Sequence, residues 1–239
     1  MQALPETKRL FLREWTMQDL DAWAAILSDA EVMRYYPKPF DRQKVQDWIA
    51  WNLENYRTDG FGLWAVHLWA TGELLGDCGI TMQQIHGQRL PEIGFHMKKS
   101  VWGQGYATEA ARACLTWGMQ QTDFPAFYCY QKSTNLPSWR VVEKLGMTLQ
   151  ETDTDPVNAF TSMYAIIKRY FLQKHKTPCC NHTAGRCLTN DTIAYRKIYF
   201  NKNSIASTYS SGFTSLPLPQ TRCSRTKEIM PIEMPSEML

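Results

Sequence analysis

The stretch Trp102-Gly103-Gln104-Gly105-Tyr106-Ala107-Thr108-Glu109 decides the fold of this chain. Two glycines and a small alanine lie between a predicted strand at 92–98 and a predicted helix at about 108–121. Glycine lets a backbone approach a ligand closely, and the first N–H groups of a helix lack partners within it and lie at the positive end of its dipole. The stretch therefore predicts an anion site that suits a phosphate or pyrophosphate. A simple turn with Thr108 as its cap is the alternative interpretation.

Two common phosphate-binding motifs do not fit this stretch. No Lys-Ser or Lys-Thr pair follows the glycines, which excludes a P-loop. The spacing also lacks the third glycine of the dinucleotide-binding fingerprint, and it occurs late in the chain instead of after the first strand.

Helical and strand patterns alternate on both sides of the stretch. They predict five further strands, at 9–13, 63–69, 74–82, 127–130 and 162–167. They also predict three further helices, which begin at Asp19, Asp41 and Ser138, the last of them closed by Gly146. A loop is predicted at 83–89. The strand-loop-helix-strand order in the middle implies a partly parallel sheet with a right-handed crossover, so the fold class is α/β with one mixed sheet.

The composition changes near residue 173. All nine tryptophans lie between Trp15 and Trp139, whereas 174–239 is rich in Ser, Thr, Asn and Pro and shows no sustained periodicity. We therefore predict a folded domain at 1–173 and a poorly structured C-terminal extension at 174–239. The extension holds nine Lys or Arg and four Asp or Glu, and the remainder is slightly acidic. This balance argues against a nucleic-acid partner.

The sequence also excludes several other classes of protein. No apolar run approaches the roughly 18 residues that span a bilayer, and the first residues lack a signal-peptide pattern, so we expect a soluble cytoplasmic protein with no membrane partner. Three isolated cysteines are predicted to be buried free thiols: Cys78, Cys114 and Cys129. The cluster Cys179, Cys180, His182 and Cys187 lacks the two spaced pairs of a zinc site, and no metal is expected.

Two motifs together resemble a known family. Glu92-Ile93-Gly94-Phe95 followed by Trp-Gly-Gln-Gly-Tyr-Ala at 102–107 is similar to the pyrophosphate-binding motif of GNAT N-acetyltransferases. Trp102 stands where Arg or Gln is usual, a departure typical of the branch with the ribosomal-protein N-terminal acetyltransferases (RimJ and RimL types). The segment from Asn135 to Met147 resembles the family's Asn-x-x-Ser-x-x-Val-x-Glu-Lys-x-Gly-Met pattern. The resemblance spans about residues 7–170.

The resemblance implies a fold, a donor substrate and a reaction. The fold would be a GNAT-like mixed, mostly antiparallel sheet with a splayed central parallel strand pair and helices on both faces. Acetyl-CoA would donate an acetyl group directly to a primary amine in a ternary complex, and the acceptor could be a protein N-terminal α-amino group. Two alternatives to this function stay open: a small-molecule amine as acceptor, and a non-catalytic acyl-CoA sensor or interaction module. The oligomeric state is also open, with a homodimer as a candidate.

The resemblance also implies which residues bind acetyl-CoA. The backbone of Phe95, His96 and Met97 would pair with the pantetheine arm as a strand edge does, and an N–H near His96 would polarise the thioester carbonyl. The pyrophosphate would be held by the N–H groups of Gln104, Gly105, Tyr106, Ala107 and Thr108. Asn135 would position the cofactor or make an Asx turn before Pro137.

Two residues are the catalytic candidates. Glu92 would act as the general base that deprotonates the amine, and its alternative role is an ion pair. Ser138 would protonate or hydrogen-bond the leaving sulfur, and its alternative role is a helix N-cap. The His96 side chain is interpreted as packed or hydrogen-bonded, and Tyr35, Tyr36 and Pro37 are candidates to contact the acceptor.

Overall fold

The computed structural model describes residues 3–85, 87–155 and 159–167. The predicted boundary near 173, the extension at 174–239 and the tail cluster of cysteines lie outside these residues. The described part contains seven strands: β1 (Leu10–Arg13), β2 (Leu63–Leu68), β3 (Leu74–Ile85), β4 (Gln88–Met97), β5 (Ala126–Lys132), β6 (Thr148–Asp155) and β7 (Ala159–Ile167). It contains four α-helices: α1 (Leu20–Leu27), α2 (Arg42–Thr58), α3 (Tyr106–Gln121) and α4 (Leu136–Leu145).

The strands form one sheet in the order β1-β2-β3-β4-β5-β7-β6. All neighbours are antiparallel except β4 and β5, which are parallel and share a single register pair, Glu92 with Tyr128. By contrast, β3 and β4 pair continuously from Gly76–Met97 to Ile85–Gln88. The predicted mixed, mostly antiparallel sheet with a splayed central parallel pair is confirmed.

The helices cover both faces of the sheet, as predicted. Side chains alternate between the faces of a strand, and β2 shows the consequence. Trp64 and Val66 pack into a core with α3 and α4, whereas Leu63 and Ala65 pack with α1 and α2. Three tryptophans of α1 and α2 are buried in the core on their side of the sheet: Trp23, Trp48 and Trp51.

Local signals were right at several ends of elements. Asp41 caps α2, because its side chain accepts a hydrogen bond from the Lys44 N–H at 2.8 Å. Gly146 ends α4 with φ +83°, the left-handed conformation that glycine adopts without strain. The three predicted free thiols, at Cys78, Cys114 and Cys129, are buried.

Four predicted elements need correction. The loop at 83–89 is a hairpin, because β3 runs to Ile85 and Gln83 and Ile85 are both buried. Strand β6 was missed because its sequence is polar and it lies at the edge of the sheet, where one side needs no pairing. Helices α3 and α4 each begin two residues earlier than predicted.

No helix among the described residues is long and apolar enough to cross a membrane.

Candidate active site

A cavity of about 570 Å³ opens where β4 and β5 part. Its walls come from the segment between α1 and α2, from β4 and β5, and from the first turns of α3 and α4. Pro37 does not line the cavity, but all except one of the predicted catalytic and cofactor-binding residues do: Glu92, Phe95, His96, Met97, Gly105, Tyr106, Ala107, Thr108, Asn135 and Ser138.

Gln104 is the exception. Its side-chain amide donates to the Ser100 carbonyl at 3.1 Å, and its own carbonyl accepts from the Arg9 guanidinium at 3.2 Å. These contacts fix the loop before α3, so the side chain of Gln104 has a structural role there.

The start of α3, called the cradle, has the backbone geometry that the predicted anion site requires. Gly103 and Gly105 have φ of +75° and +83°, and Gly105 is the N-cap of the helix. The following N–H groups, at Tyr106, Ala107 and Thr108, are the first of the helix and donate to no other described residue. A positive helix end with three such donors suits a pyrophosphate.

A brace from the N-terminal segment holds this helix end. The Glu109 carboxylate accepts hydrogen bonds from the Thr7 hydroxyl and from Arg9 Nε, both at 2.6 Å. Burial opposes ionisation of Glu109, but these hydrogen bonds and the Arg9 charge outweigh it and lower the pKa of the carboxyl. The Arg9 guanidinium also lies 4.2 Å from the centre of the Tyr106 ring. Arg9 thus neutralises the carboxylate nearest to the cradle.

Positively charged side chains line the same cavity. Arg140 and Lys144 come from α4, Lys132 comes from the end of β5, and Arg34 comes from the segment after α1. The Arg34 guanidinium also lies 5.6 Å from the centre of the Trp102 ring. Cations around the cavity favour an anionic ligand. Sequence reasoning missed them, because isolated Arg and Lys residues carry no local motif.

Glu92 occupies the point where the two parallel strands separate. It belongs to the last register pair between them, and its carboxylate accepts a hydrogen bond from the Tyr130 N–H at 3.0 Å. Burial raises the pKa of Glu92 to about 7, against smaller opposite effects of the Tyr130 N–H and of His96. A carboxyl with this pKa exchanges protons readily at neutral pH.

The direction of the β4 backbone identifies which N–H groups face the opening. The Lys98 N–H bonds to Leu75 on β3, and the His96 N–H donates to Asp77 Oδ1 on β3 at 2.9 Å. Since successive N–H groups of a strand point to opposite sides, those of Phe95 and Met97 point towards β5. The N–H group that was predicted near His96 to polarise the thioester carbonyl is therefore that of Phe95 or Met97.

In the first turn of α4, the N-cap is Asn135 and not Ser138. Asn135 is the N-cap, and its side-chain oxygen accepts from the Ser138 N–H at 3.3 Å. Ser138 therefore lies inside the helix, and its alternative role as an N-cap is wrong. It is half-buried and lines the cavity, so its hydroxyl stays available as a candidate at the sulfur.

The His96 side chain is hydrogen-bonded, as expected. Its Nδ1 lies 2.8 Å from Asp77 Oδ1, and its Nε2 lies 2.6 Å from the Tyr36 hydroxyl. Tyr36 also lines the cavity, in agreement with its prediction as an acceptor-side residue. Sequence reasoning missed Asp77, because nothing in its local sequence distinguishes it.

Comparison with known proteins supplies the remaining observation. The family described as the acetyltransferase (GNAT) domain matches residues 9–148. This protein belongs to the GNAT acetyltransferase family.

Several relatives agree with that assignment. YkkB of Bacillus subtilis (strain 168), an uncharacterized protein, is 39% identical over 149 residues, which is 61% of this chain and 86% of YkkB. A GNAT acetyltransferase from Bacillus anthracis has a structure similar at a TM-score of 0.59 and 26% identity, covering 69% of this chain and 98% of its own. RimL, solved in complex with coenzyme A, has the same fold at a TM-score of 0.59 and 17% identity, covering 70% of this chain and 98% of its own.

GNAT acetyltransferases are acyltransferases that use acetyl-CoA, and the cavity fits that donor. The N–H groups of Tyr106, Ala107 and Thr108 match the needs of the pyrophosphate, and the gap between β4 and β5 offers a strand edge to an extended amide-bearing arm. Gly105 has a φ of +83°, which residues with a side chain rarely adopt. The residues present therefore fit the donor that the family uses.

Proposed function

We propose that this GNAT enzyme transfers the acetyl group of acetyl-CoA to the α-amino group of a protein N-terminus by direct attack in a ternary complex. The observation that carries the proposal is the position of Glu92, a carboxyl with a pKa of about 7 at the separation of β4 and β5. A base is required there because the nitrogen must lose protons as it changes from an ammonium to an amide.

The chain's own residues divide the remaining work. The N–H groups of Phe95 and Met97 point into the opening, where one of them would donate to the thioester oxygen as negative charge develops. The Met97 carbonyl on the same edge accepts from Trp102 Nε1 at 2.8 Å, which holds the edge against the start of α3. Ser138, in the first turn of α4, is proposed to hydrogen-bond the departing sulfur.

An α-amino acceptor suits this base better than a lysine side chain does. An α-amino group has a pKa near 8 and an alkylammonium near 10, so a carboxylate with a pKa of about 7 is closer in proton affinity to the former. RimL, described as a ribosomal L7/L12 α-N-protein acetyltransferase, has the same fold. The pKa of Glu92 therefore supports an α-amino group over a lysine side chain or another alkylamine as the acceptor.

The test is acetyl transfer itself. The protein is incubated with acetyl-CoA and a panel of peptides with free N-termini, matched N-terminally blocked peptides that contain lysine, and small amines, and release of the free thiol is followed. Release that requires a free peptide N-terminus would support the proposal. Release with small amines alone would favour the small-molecule alternative, and binding of acetyl-CoA without release on any acceptor would favour the sensor.

We also propose that residues 1–173 are the catalytic domain. A chain that ends at Lys174 should then retain the thiol release of the full chain. A large loss of activity in that shortened chain would assign a role to the extension.

A further inference from the structure

Three polar side chains form a continuous chain of hydrogen bonds beside the cavity. Asp77 Oδ1 lies 2.8 Å from His96 Nδ1, and His96 Nε2 lies 2.6 Å from the Tyr36 hydroxyl. Asp77 is fully buried, and its carboxylate also receives the His96 backbone N–H at 2.9 Å and Trp48 Nε1 at 3.2 Å. The chain therefore runs from a buried carboxylate to a hydroxyl at the cavity wall.

With Asp77 as an ionised carboxylate, the donor and the acceptor of each hydrogen bond in this chain follow. An ionised carboxylate only accepts, so His96 Nδ1 must carry the hydrogen in the contact with Asp77. In a neutral imidazole the other nitrogen then has a free lone pair. His96 Nε2 therefore accepts from the Tyr36 hydroxyl, and the Tyr36 oxygen keeps lone pairs that can accept from a ligand.

The ring of His96 is held in place by aromatic neighbours. Trp48 of α2 meets it edge-on at 5.4 Å between ring centres, and Trp23 of α1 does so at 6.3 Å. Three titratable groups face it: Asp77 from β3, Tyr36 from the segment between α1 and α2, and Glu92 from β4. The indoles carry no charge, so Asp77 supplies the negative charge in direct contact with the ring.

We propose that Tyr36, His96 and Asp77 form a relay that takes the first proton from the acceptor ammonium, an inference that rests on the proposed acetyl transfer. The ammonium gives a proton to the Tyr36 oxygen while the Tyr36 hydroxyl proton passes to His96 Nε2. Tyr36 stays neutral, and the imidazolium that forms is stabilised by the Asp77 carboxylate.

The reaction removes two protons from the acceptor nitrogen, so the relay and Glu92 can each accept one. An ammonium has three N–H bonds and the amide product has one, so two protons leave the nitrogen. The first goes to His96 before attack. The amine lone pair then forms the C–N bond, the second proton goes to Glu92, and the C–S bond breaks as this proton passes from Glu92 to the thiolate. His96 returns its proton to water, which accounts for the one net proton released.

The pH dependence of kcat/KM tests the relay with Tyr36→Phe and His96→Gln. At pH 7 only about a tenth of an acceptor with a pKa near 8 is neutral in water. A variant without the relay can use only the acceptor molecules that are already neutral in water. We therefore expect its kcat/KM to be about tenfold lower than that of the wild type at pH 7. At pH 9, where most of the acceptor is neutral, the two values should be nearly equal. His67→Gln is the matched control, since His67 lies on β2 with its ring against the Gly72 carbonyl, and its profile should be that of the wild type.

Three outcomes would count against the relay. A Tyr36→Phe profile identical to that of the wild type would show that the hydroxyl carries no proton. An equal loss at every pH would assign Tyr36 and His96 a structural role. If the unsubstituted protein releases no thiol with any amine, the proposed function is overturned and the relay with it. Failure of the relay alone differs, because the unsubstituted protein would then still release thiol.

A second measurement needs no acetyl-CoA. Nitrogen-15 NMR of the histidine side chains, with the His96 signals assigned by difference from His96→Gln, reports which ring nitrogen carries the hydrogen. We expect Nδ1–H and an unprotonated Nε2 in the free protein at pH 8. An Nε2–H tautomer would overturn the inference, because that nitrogen could not then receive a proton.

Discussion

Replacing Glu92 with glutamine should make the protein more stable at pH 8 and less active. The ordinary carboxyl pKa is 4.5, and burial raises that of Glu92 to about 7. Each pKa unit corresponds to about 1.4 kcal/mol, so ionised Glu92 lowers the free energy of unfolding by at most about 3 kcal/mol. Because Glu92 is only half-buried and lines the cavity, we expect a gain of roughly 1–2 kcal/mol on substitution. Glutamine keeps an oxygen to accept the Tyr130 N–H.

The sign of the effect follows from proton binding. Below pH 4.5 the carboxyl is protonated in both the folded and the unfolded chain. Between pH 4.5 and about 7 the unfolded chain has lost the proton that folded Glu92 still holds. Wild-type stability therefore falls relative to Glu92→Gln as pH rises through this window, and the difference stays constant above it.

Urea unfolding of both proteins at pH 5, 6, 7 and 8 measures the difference. Glu14→Gln is the control, because Glu14 is exposed and its substitution should change stability by less than about 0.5 kcal/mol at every pH. Thiol release by Glu92→Gln at pH 7 should fall by about a hundredfold or more. A difference in stability that does not change with pH, or a Glu92→Gln protein less stable than the wild type at pH 8, would refute this account of Glu92.

Three further substitutions test the cradle and the core. Gly105→Asp should weaken acetyl-CoA binding in calorimetry by at least about tenfold, because it places a carboxylate at the phosphate site. Gly72→Asp controls for the backbone cost, because Gly72 has a similar φ of +73° and lies in a turn with open space around it. Equal binding by both variants would contradict the placement of the phosphate site at the start of α3. Gly118→Ala should cost about 1–3 kcal/mol in urea unfolding, since its Cβ would lie 2.6 Å from a buried isoleucine, and an unchanged midpoint would argue against that packing. Asp41→Ala should cost about 1 kcal/mol through the lost cap of α2, whereas Asp47→Ala, on the exposed side of the same helix, should cost less than about 0.5 kcal/mol; equal losses would show that the cap is not the cause.

The cofactor side of the cavity was predictable because its signals are local. Gly103 and Gly105 have positive φ, and the helix starts directly after them, so a few consecutive residues specify the whole cradle. The register of Glu92 at the parting of the strands was reached through resemblance to a family. Asn135 was predicted either to position the cofactor or to make an Asx turn before Pro137, and its role as the N-cap of α4 was not among these alternatives.

The hydrogen-bond partners of the site residues were not predictable, since they are distant in sequence. Tyr36 and His96 are 60 residues apart, and Arg9 and Glu109 are 100 residues apart. No periodicity or spacing encodes such pairs. The polar strand β6 and the hairpin after Gln83 were missed for a related reason, because pairing in the sheet, and not a hydrophobic pattern, holds them in place.

The alternation of strand β4 connects the two proton acceptors. Glu92, Gly94 and His96 are two residues apart, so they share one face of the strand. Gly94 leaves the space between the other two open, and a Cβ there would lie 3.2 Å from Leu63 Cδ2. The backbone N–H groups of Phe95 and Met97 lie in the plane of the sheet and point towards β5. One short strand can thus present two proton acceptors on its face and polarising N–H groups along its edge, which is the arrangement that attack of an amine on a thioester requires.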